Sequence, residues 1–278
     1  MVSERVLLAG CGDLGLRVAQ RLRARGDEVW ALRRTPPDEA DAGIHWIRAD
    51  LTEARSLQHL PAGLTQLIYL PAPERRDACT YGALFADGLR NLLAAAGMAT
   101  LQRVLLVSSS AVYGEHGGAW VDEDSPTAPL AFNGTVLRDV EQWLTAQPVR
   151  SIVLRLAGLY GPGRLQLLER LRAGLVTVPR ATRHWANRVH VDDAAAAIVH
   201  VLHLGDPLPV YLGVDDTPLP LDVLYDHLAG LIGAPLPGDG PAPAGVGSKR
   251  LSNARLRASG FAPQWPDARA GYAALLAR

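Results

Sequence analysis

Gly10, Gly12 and Gly15 are spaced as Gly-x-Gly-x-x-Gly directly behind the apolar run Val6-Leu7-Leu8-Ala9. That spacing suits a strand-to-helix turn around a pyrophosphate: Gly10 for the tight turn, Gly12 for close backbone approach, Gly15 for helix packing. Asp13 and Leu14 lie in the same turn, where a helix N-terminus offers free N–H groups and a favourable dipole to negative charge. An acidic residue about twenty positions on would hold a ribose 2′-hydroxyl. The second apolar run ends instead in Arg33-Arg34. Two guanidiniums suit a 2′-phosphate through paired, charge-assisted hydrogen bonds, so NADP is expected over NAD. The competing reading is a pair of solvated surface arginines. Asp50 and Leu51, after the third run, are expected beside the adenine, and Leu70 and Pro71, after the fourth, along the cofactor.

Ser108, Ser109, Ser110 and Tyr113 cluster at the end of a fifth apolar run, where open α/β sheets bind ligands; a serine cluster can equally satisfy backbone groups at a strand end. Other chemistries find no anchor. His200 and His203 stand three apart with no third metal ligand in the pattern, and the chain has neither a Gly-x-Ser-x-Gly elbow nor a Gly-Lys pair for a phosphate loop. Basic and acidic residues balance at 28 each, which leaves no electrostatic footprint for nucleic acid or an anionic membrane. Of those basic residues only Lys249 is a lysine.

The elements that must position these residues follow the βαβα rhythm of a doubly wound, mostly parallel α/β sheet. Strands are predicted at 5–9, 28–32, 45–48, 66–70, 103–108, 151–156 and 188–191, and helices at 13–25, 77–97, 134–146, 165–174 and 192–204. After residue 205 Pro and Gly become frequent, with helical patterns at 219–232, 253–259 and 267–276. The expected domains are a Rossmann domain of residues 1–160 plus 188–212 and a small substrate lobe of residues 161–187 plus 213–278. No apolar run approaches the ~20 residues of a membrane span, two cysteines make no disulfide framework, and the first apolar run is too short for a signal peptide. A cytoplasmic location is the expectation.

The glycine turn combines with Val107-Ser108-Ser109-Ser110-Ala111-Val112-Tyr113-Gly114, with Arg155-Leu156-Ala157-Gly158-Leu159-Tyr160-Gly161-Pro162-Gly163 and with Asn187-Arg188-Val189-His190-Val191-Asp192-Asp193. Four motifs in this order resemble the extended short-chain dehydrogenase/reductases of the NAD-dependent epimerase/dehydratase group. The tail segments 211–218 and 247–253 are similar to an atypical bacterial branch that often loses the catalytic residues. The resemblance implies Ser108 and Gly158 at the cofactor, Ser109 with Ser110 on a substrate oxygen, and Tyr113, Tyr160 and Arg188 at a small-molecule substrate. It also implies a Tyr and a Lys four residues apart on one helix. With Glu141 as anchor those places fall on Asn133 and Leu137. No Tyr lies between Tyr113 and Tyr160, and Lys249 is over a hundred residues away, so Asn133 is left to orient substrate without moving a proton. Two functions are expected: an NADP-dependent oxidoreductase or epimerase/dehydratase acting on a sugar-nucleotide-like or other polar carbonyl substrate, or a non-catalytic NADP-binding sensor or regulatory protein. By analogy with the family, the helices at 77–97 and 134–146 could carry a homodimer interface through Leu84, Leu89, Leu92 and Leu93, which could equally cover the sheet.

Overall fold

A computed structural model of the chain describes residues 3–37 and 43–277. Its α/β core begins where local sequence predicts. Strand β1 (Arg5–Ala9) is apolar and buried almost throughout, as a strand covered on both faces must be. Helix α1 (Asp13–Ala24) puts Gly15, Val18, Ala19 and Leu22 on its buried face, an i, i+3, i+4, i+7 pattern. The alternation continues through β2 (Glu28–Arg33), β3 (Ile44–Arg48), β4 (Gln66–Tyr69), β5 (Arg103–Ser109), β6 (Arg150–Leu156) and β7 (Val210–Gly213). These seven strands form one sheet in the order β7-β6-β5-β4-β1-β2-β3, and β1 pairs in parallel with both β2 and β4. The chain therefore reverses its direction of sheet growth at β1, which places a switch point beyond the carboxyl ends of β1 and β4.

The helix expected over 77–97 is not uniform. It begins as α2 (Ala78–Tyr81), with Asp77 accepting a hydrogen bond from the Thr80 N–H at the N-cap, widens to a π-helical stretch over Gly82–Asp87, and resumes as α3 (Gly88–Ala96). The Tyr69 hydroxyl on β4 donates to the Leu84 carbonyl at 2.5 Å, and Gly88 admits that phenol, since a Cβ there would lie 2.6 Å from the Tyr69 oxygen. A carbonyl claimed from outside the ladder and two flanking glycines account for the widened turn. Leu89, Leu92 and Leu93, the expected dimer-face leucines of α3, are buried within the single chain.

Helices α4 (Phe132–Thr145) and α6 (Val191–Leu202) follow the predicted boundaries within two residues, and α5 (Gln166–Arg172) lies inside its predicted range. The chain divides into two compact units. The first comprises Met1–Ser109, Phe132–Arg155 and Ala195–Val210; the second comprises Ser110–Ala131, Leu156–Ala194 and Tyr211–Arg278. The second unit contains α5, α7 (Leu221–Leu231), α8 (Ala254–Ala258) and α9 (Ala268–Leu276). Leu168, Leu171, Leu224, Leu228, Tyr160 and Tyr272 belong to its core. Short strand pairs, such as Arg188–His190 alongside Gly158–Tyr160, complete it. No described helix is long and apolar enough to cross a membrane.

Candidate functional site

A cavity of about 670 Å³ opens in the first unit at the switch point. Each of the first four strands contributes the loop that follows it: Gly10, Cys11 and Gly12 after β1, Arg33, Arg34 and Thr35 at the end of β2, Asp50, Leu51 and Thr52 after β3, and Pro71, Ala72 and Glu74 after β4. Cys79, Thr80, Ala83 and Leu84 close one side from α2 and the π-helical turn.

The two glycines at its floor do different work. Gly10 has a φ of +99°, and a Cβ there would stand 2.5 Å from the Pro71 Cα, so this position needs glycine for backbone conformation and for the β4 loop to pass. Gly12 has an ordinary φ of −83° at the N-cap of α1, and a Cβ there would meet nothing within 4 Å. The space above Gly12 is left clear at a helix N-terminus, a cradle that fits a dinucleotide pyrophosphate. Gly15 serves packing, because its Cβ would lie 3.1 Å from the Gly10 carbonyl oxygen. The Asp13 carboxylate accepts from Arg17 Nε at 3.1 Å, one turn along α1, which leaves backbone as the group Asp13 and Leu14 offer at the helix start.

Around the rim, the exposed Arg33 guanidinium forms no ion pair among the described residues. Arg34 donates to Glu74 Oε1 at 2.5 Å. Asp50 accepts from the Thr52 N–H and hydroxyl, which fixes the loop after β3. Burial pushes the Cys11 thiol up to about 12, against the opposing pull of Arg33, so Cys11 is a neutral wall of the cavity. Leu70 is buried just behind the lining.

The residues expected to carry chemistry fall on both units. In the first, the Ser108 hydroxyl donates to Glu141 Oε1 at 2.5 Å inside a buried network, and Arg155 Nη2 donates to Glu141 Oε2 at 2.6 Å. The Ser108 hydroxyl proton is thus committed to the Glu141 network. Ser109, at the end of β5, is half-buried. Asn133 on α4 is 8% exposed, and its amide has no hydrogen-bond partner among the described residues. Leu137, one turn on, is apolar and buried.

In the second unit Ser110 opens a short 3₁₀ turn. Tyr113 and Tyr160 were expected at substrate, and the structure places both phenols inside the protein. Tyr113 is buried with its hydroxyl donating to the Asp122 carbonyl at 2.8 Å. Tyr160 is fully buried, stacked on Tyr272 at 4.4 Å between centroids and edge-on to His190. Arg188 is half-buried, and its Nη2 donates to the Tyr225 hydroxyl at 3.1 Å. Gly158 makes room for that guanidinium, since a Cβ there would stand 2.4 Å from Arg188 Nη1. Beside them, burial raises the Asp215 carboxyl to about 8. Lys249, the single lysine, is buried and donates to the Gly247 carbonyl at 3.2 Å. Sequence reasoning passed over Glu74, Cys79, Thr80 and Ala83, and set Leu84 on a dimer face, whereas it lines the cavity. Only their nearness to the ends of the fourth run and of the following helix could have pointed to them.

A seven-stranded parallel sheet reversing at β1, with a glycine turn and a cavity at the switch point, defines a Rossmann-type nucleotide-binding fold. Comparison with known proteins takes this to a family: residues 6–211 match the NAD dependent epimerase/dehydratase family, and the chain belongs to it. A solved protein from Methylobacillus flagellatus with a provisional NAD-dependent epimerase/dehydratase assignment superposes with a TM-score of 0.82 at 38% identity, covering 99% of this chain and 98% of that one. Protein YeeZ of Escherichia coli K12 is 29% identical over 274 residues, 95% of this chain and 97% of its own length. A 3-diazoavenalumate denitrifying reductase from a Streptomyces species is 28% identical over 258 residues, 86% of this chain and 84% of its own.

Proposed function

We propose that this chain is an NADP-preferring oxidoreductase or epimerase/dehydratase-like enzyme acting on a sugar-nucleotide-like or other polar carbonyl substrate. The observation that carries the reading is the cavity itself: a clear space over Gly12 at a helix N-terminus, rimmed by an Arg33 guanidinium without an ion-pair partner among the described residues. Gly10, Gly12 and the first turn of α1 would hold the pyrophosphate, Asp50 and Leu51 would border the adenine, and Arg33 would meet a 2′-phosphate. Bound there, the nicotinamide cofactor supplies the hydride acceptor or donor. Ser109 and Ser110 would hydrogen-bond the substrate oxygen. The amide of Asn133 can hydrogen-bond a substrate group but cannot exchange protons near neutral pH. Arg188 offers a guanidinium to an anionic substrate group. The relative with reductase activity supports the catalytic reading.

The second reading, NADP binding without turnover, is favoured by one feature: α4 carries neither tyrosine nor lysine, and Lys249 is buried against its own backbone. Titration with NADPH and NADH, followed by cofactor fluorescence, tests the shared part of both. NADPH is expected to bind tighter, with Arg33→Ala narrowing the difference by about 1–2 kcal/mol through loss of a charge-assisted bond. Equal affinities in the parent chain would remove the NADP preference. Stereospecific hydride transfer to any member of a carbonyl panel separates the enzyme from the sensor, and its loss in Ser109→Ala would tie the chemistry to β5.

A further inference from the structure

The end of β2 lacks the acidic residue that would receive a ribose 2′-hydroxyl, and the fold brings one from elsewhere. Glu74, on the loop after β4, lines the same cavity as Arg33, Arg34 and Asp50. Its Oε1 lies 2.5 Å from Arg34 Nη2. Both side chains are more than half exposed, at 53% and 69%, so the pair is held weakly, and an exposed ion pair of this kind is readily exchanged for another anion. The two rim arginines are therefore not equivalent: Arg33 has no carboxylate partner among the described residues, whereas Arg34 is already engaged. A carboxylate in that place has two effects on a bound ribose. It competes with, and repels, a dianionic 2′-phosphate approaching Arg34, and it presents an acceptor to a 2′-hydroxyl.

We infer that Glu74 is the residue that sets cofactor selectivity, holding down the preference for a 2′-phosphate that Arg33 and Arg34 would otherwise impose and admitting the unphosphorylated dinucleotide. This rests on the reading of the cavity as a dinucleotide site. The pair links the β2 and β4 loops across the cavity, so selectivity is decided by an interaction between two strand ends and not by the β2 end alone.

The test is the ratio of NADPH to NADH affinity, from fluorescence titrations of the parent chain, Glu74→Gln, Arg34→Gln and the double variant. Glu74→Gln is expected to tighten NADPH by roughly two- to tenfold, the range released when an exposed pair and a like-charge contact are removed, and to leave NADH unchanged or weaker. In the Arg34→Gln background the gain from Glu74→Gln should shrink, because no guanidinium is freed. A ratio that moves less than twofold, or a gain of equal size in the Arg34→Gln background, overturns the inference while leaving the dinucleotide site in place. Failure of the parent chain to bind either dinucleotide overturns both. Glu74 is exposed and belongs to no strand or helix, so unchanged thermal melting should accompany the shift.

Discussion

At Gly10 and Gly12, two residues apart in one turn, the same amino acid answers opposite demands. A methyl group at Gly10 must be carried at a φ of +99° and pushed into the Pro71 backbone at 2.5 Å. Gly10→Ala is therefore expected to destabilise the fold by more than about 2 kcal/mol, from backbone strain and displacement of the β4 loop together. At Gly12 an alanine finds open space and a permitted φ, so stability should fall by no more than about 1 kcal/mol, the cost of a poorer N-cap. Its methyl would occupy the space a pyrophosphate needs, and NADPH affinity should fall at least tenfold, about 1.4 kcal/mol. Urea titrations with fluorescence binding measure both. An equal loss of stability at the two positions would contradict the assignment of Gly12 to ligand approach. The glycine spacing announced this turn because both demands are local to a few residues of backbone. The burial of Tyr113 and Tyr160 was not legible in the same way. A phenol reads as a reactive or ligand-facing group in one dimension, and only the carbonyl of Asp122 and the ring of Tyr272 reveal that these two pack.

Between elements, the strands and helices of the sheet could be read from burial periodicity, since each apolar run had one place to go. What periodicity could not supply is the widening over Gly82–Asp87, because its cause, the Tyr69 hydroxyl on the Leu84 carbonyl, comes from a strand thirteen residues earlier. Nor could it supply Ala83 and Leu84 as cavity wall. The tie among α4, β5 and β6 is likewise tertiary. Glu141 on α4 receives the Ser108 hydroxyl from β5 and two nitrogens of Arg155 from β6, with all three side chains buried. A charge pair in such a place is costly to halve, because the surviving partner is left desolvated and alone. Glu141→Leu is expected to cost about 3–5 kcal/mol, and adding Arg155→Leu should recover most of that loss. Chemical denaturation of the two single variants and the double variant gives the coupling directly. Simple additivity would show that the network does not clamp α4 to the sheet.

The whole chain is electrically balanced, with equal numbers of acidic and basic residues and a pI near 7.1, so its stability between pH 6.5 and 8 is governed by individual buried groups and not by net repulsion. Asp215 is the principal one: burial holds its carboxyl protonated up to about 8 in the folded chain, while in the unfolded chain it ionises near the usual ~3.9. Across that window the folded state binds one proton more than the unfolded state, so stability falls as pH rises from about 4 and levels off above 8. Burial moves His184 in the other direction, down from 6.5; the unfolded chain then holds the extra proton, and the resulting gain with rising pH fades out over about one pH unit above 6.5. From pH 6.5 to 8 the Asp215 slope, up to about 1.4 kcal/mol per pH unit, outweighs what remains of it. The parent chain is therefore expected to melt at a lower temperature at pH 8 than at pH 6.5. Asp215→Asn should flatten that difference and raise the melting temperature at pH 8, since an amide carries no ionisation to suppress. Calorimetric scans of both proteins at the two pH values decide it, and a parent Tm that rises from pH 6.5 to 8 would mean that Asp215 is ionised in the folded chain.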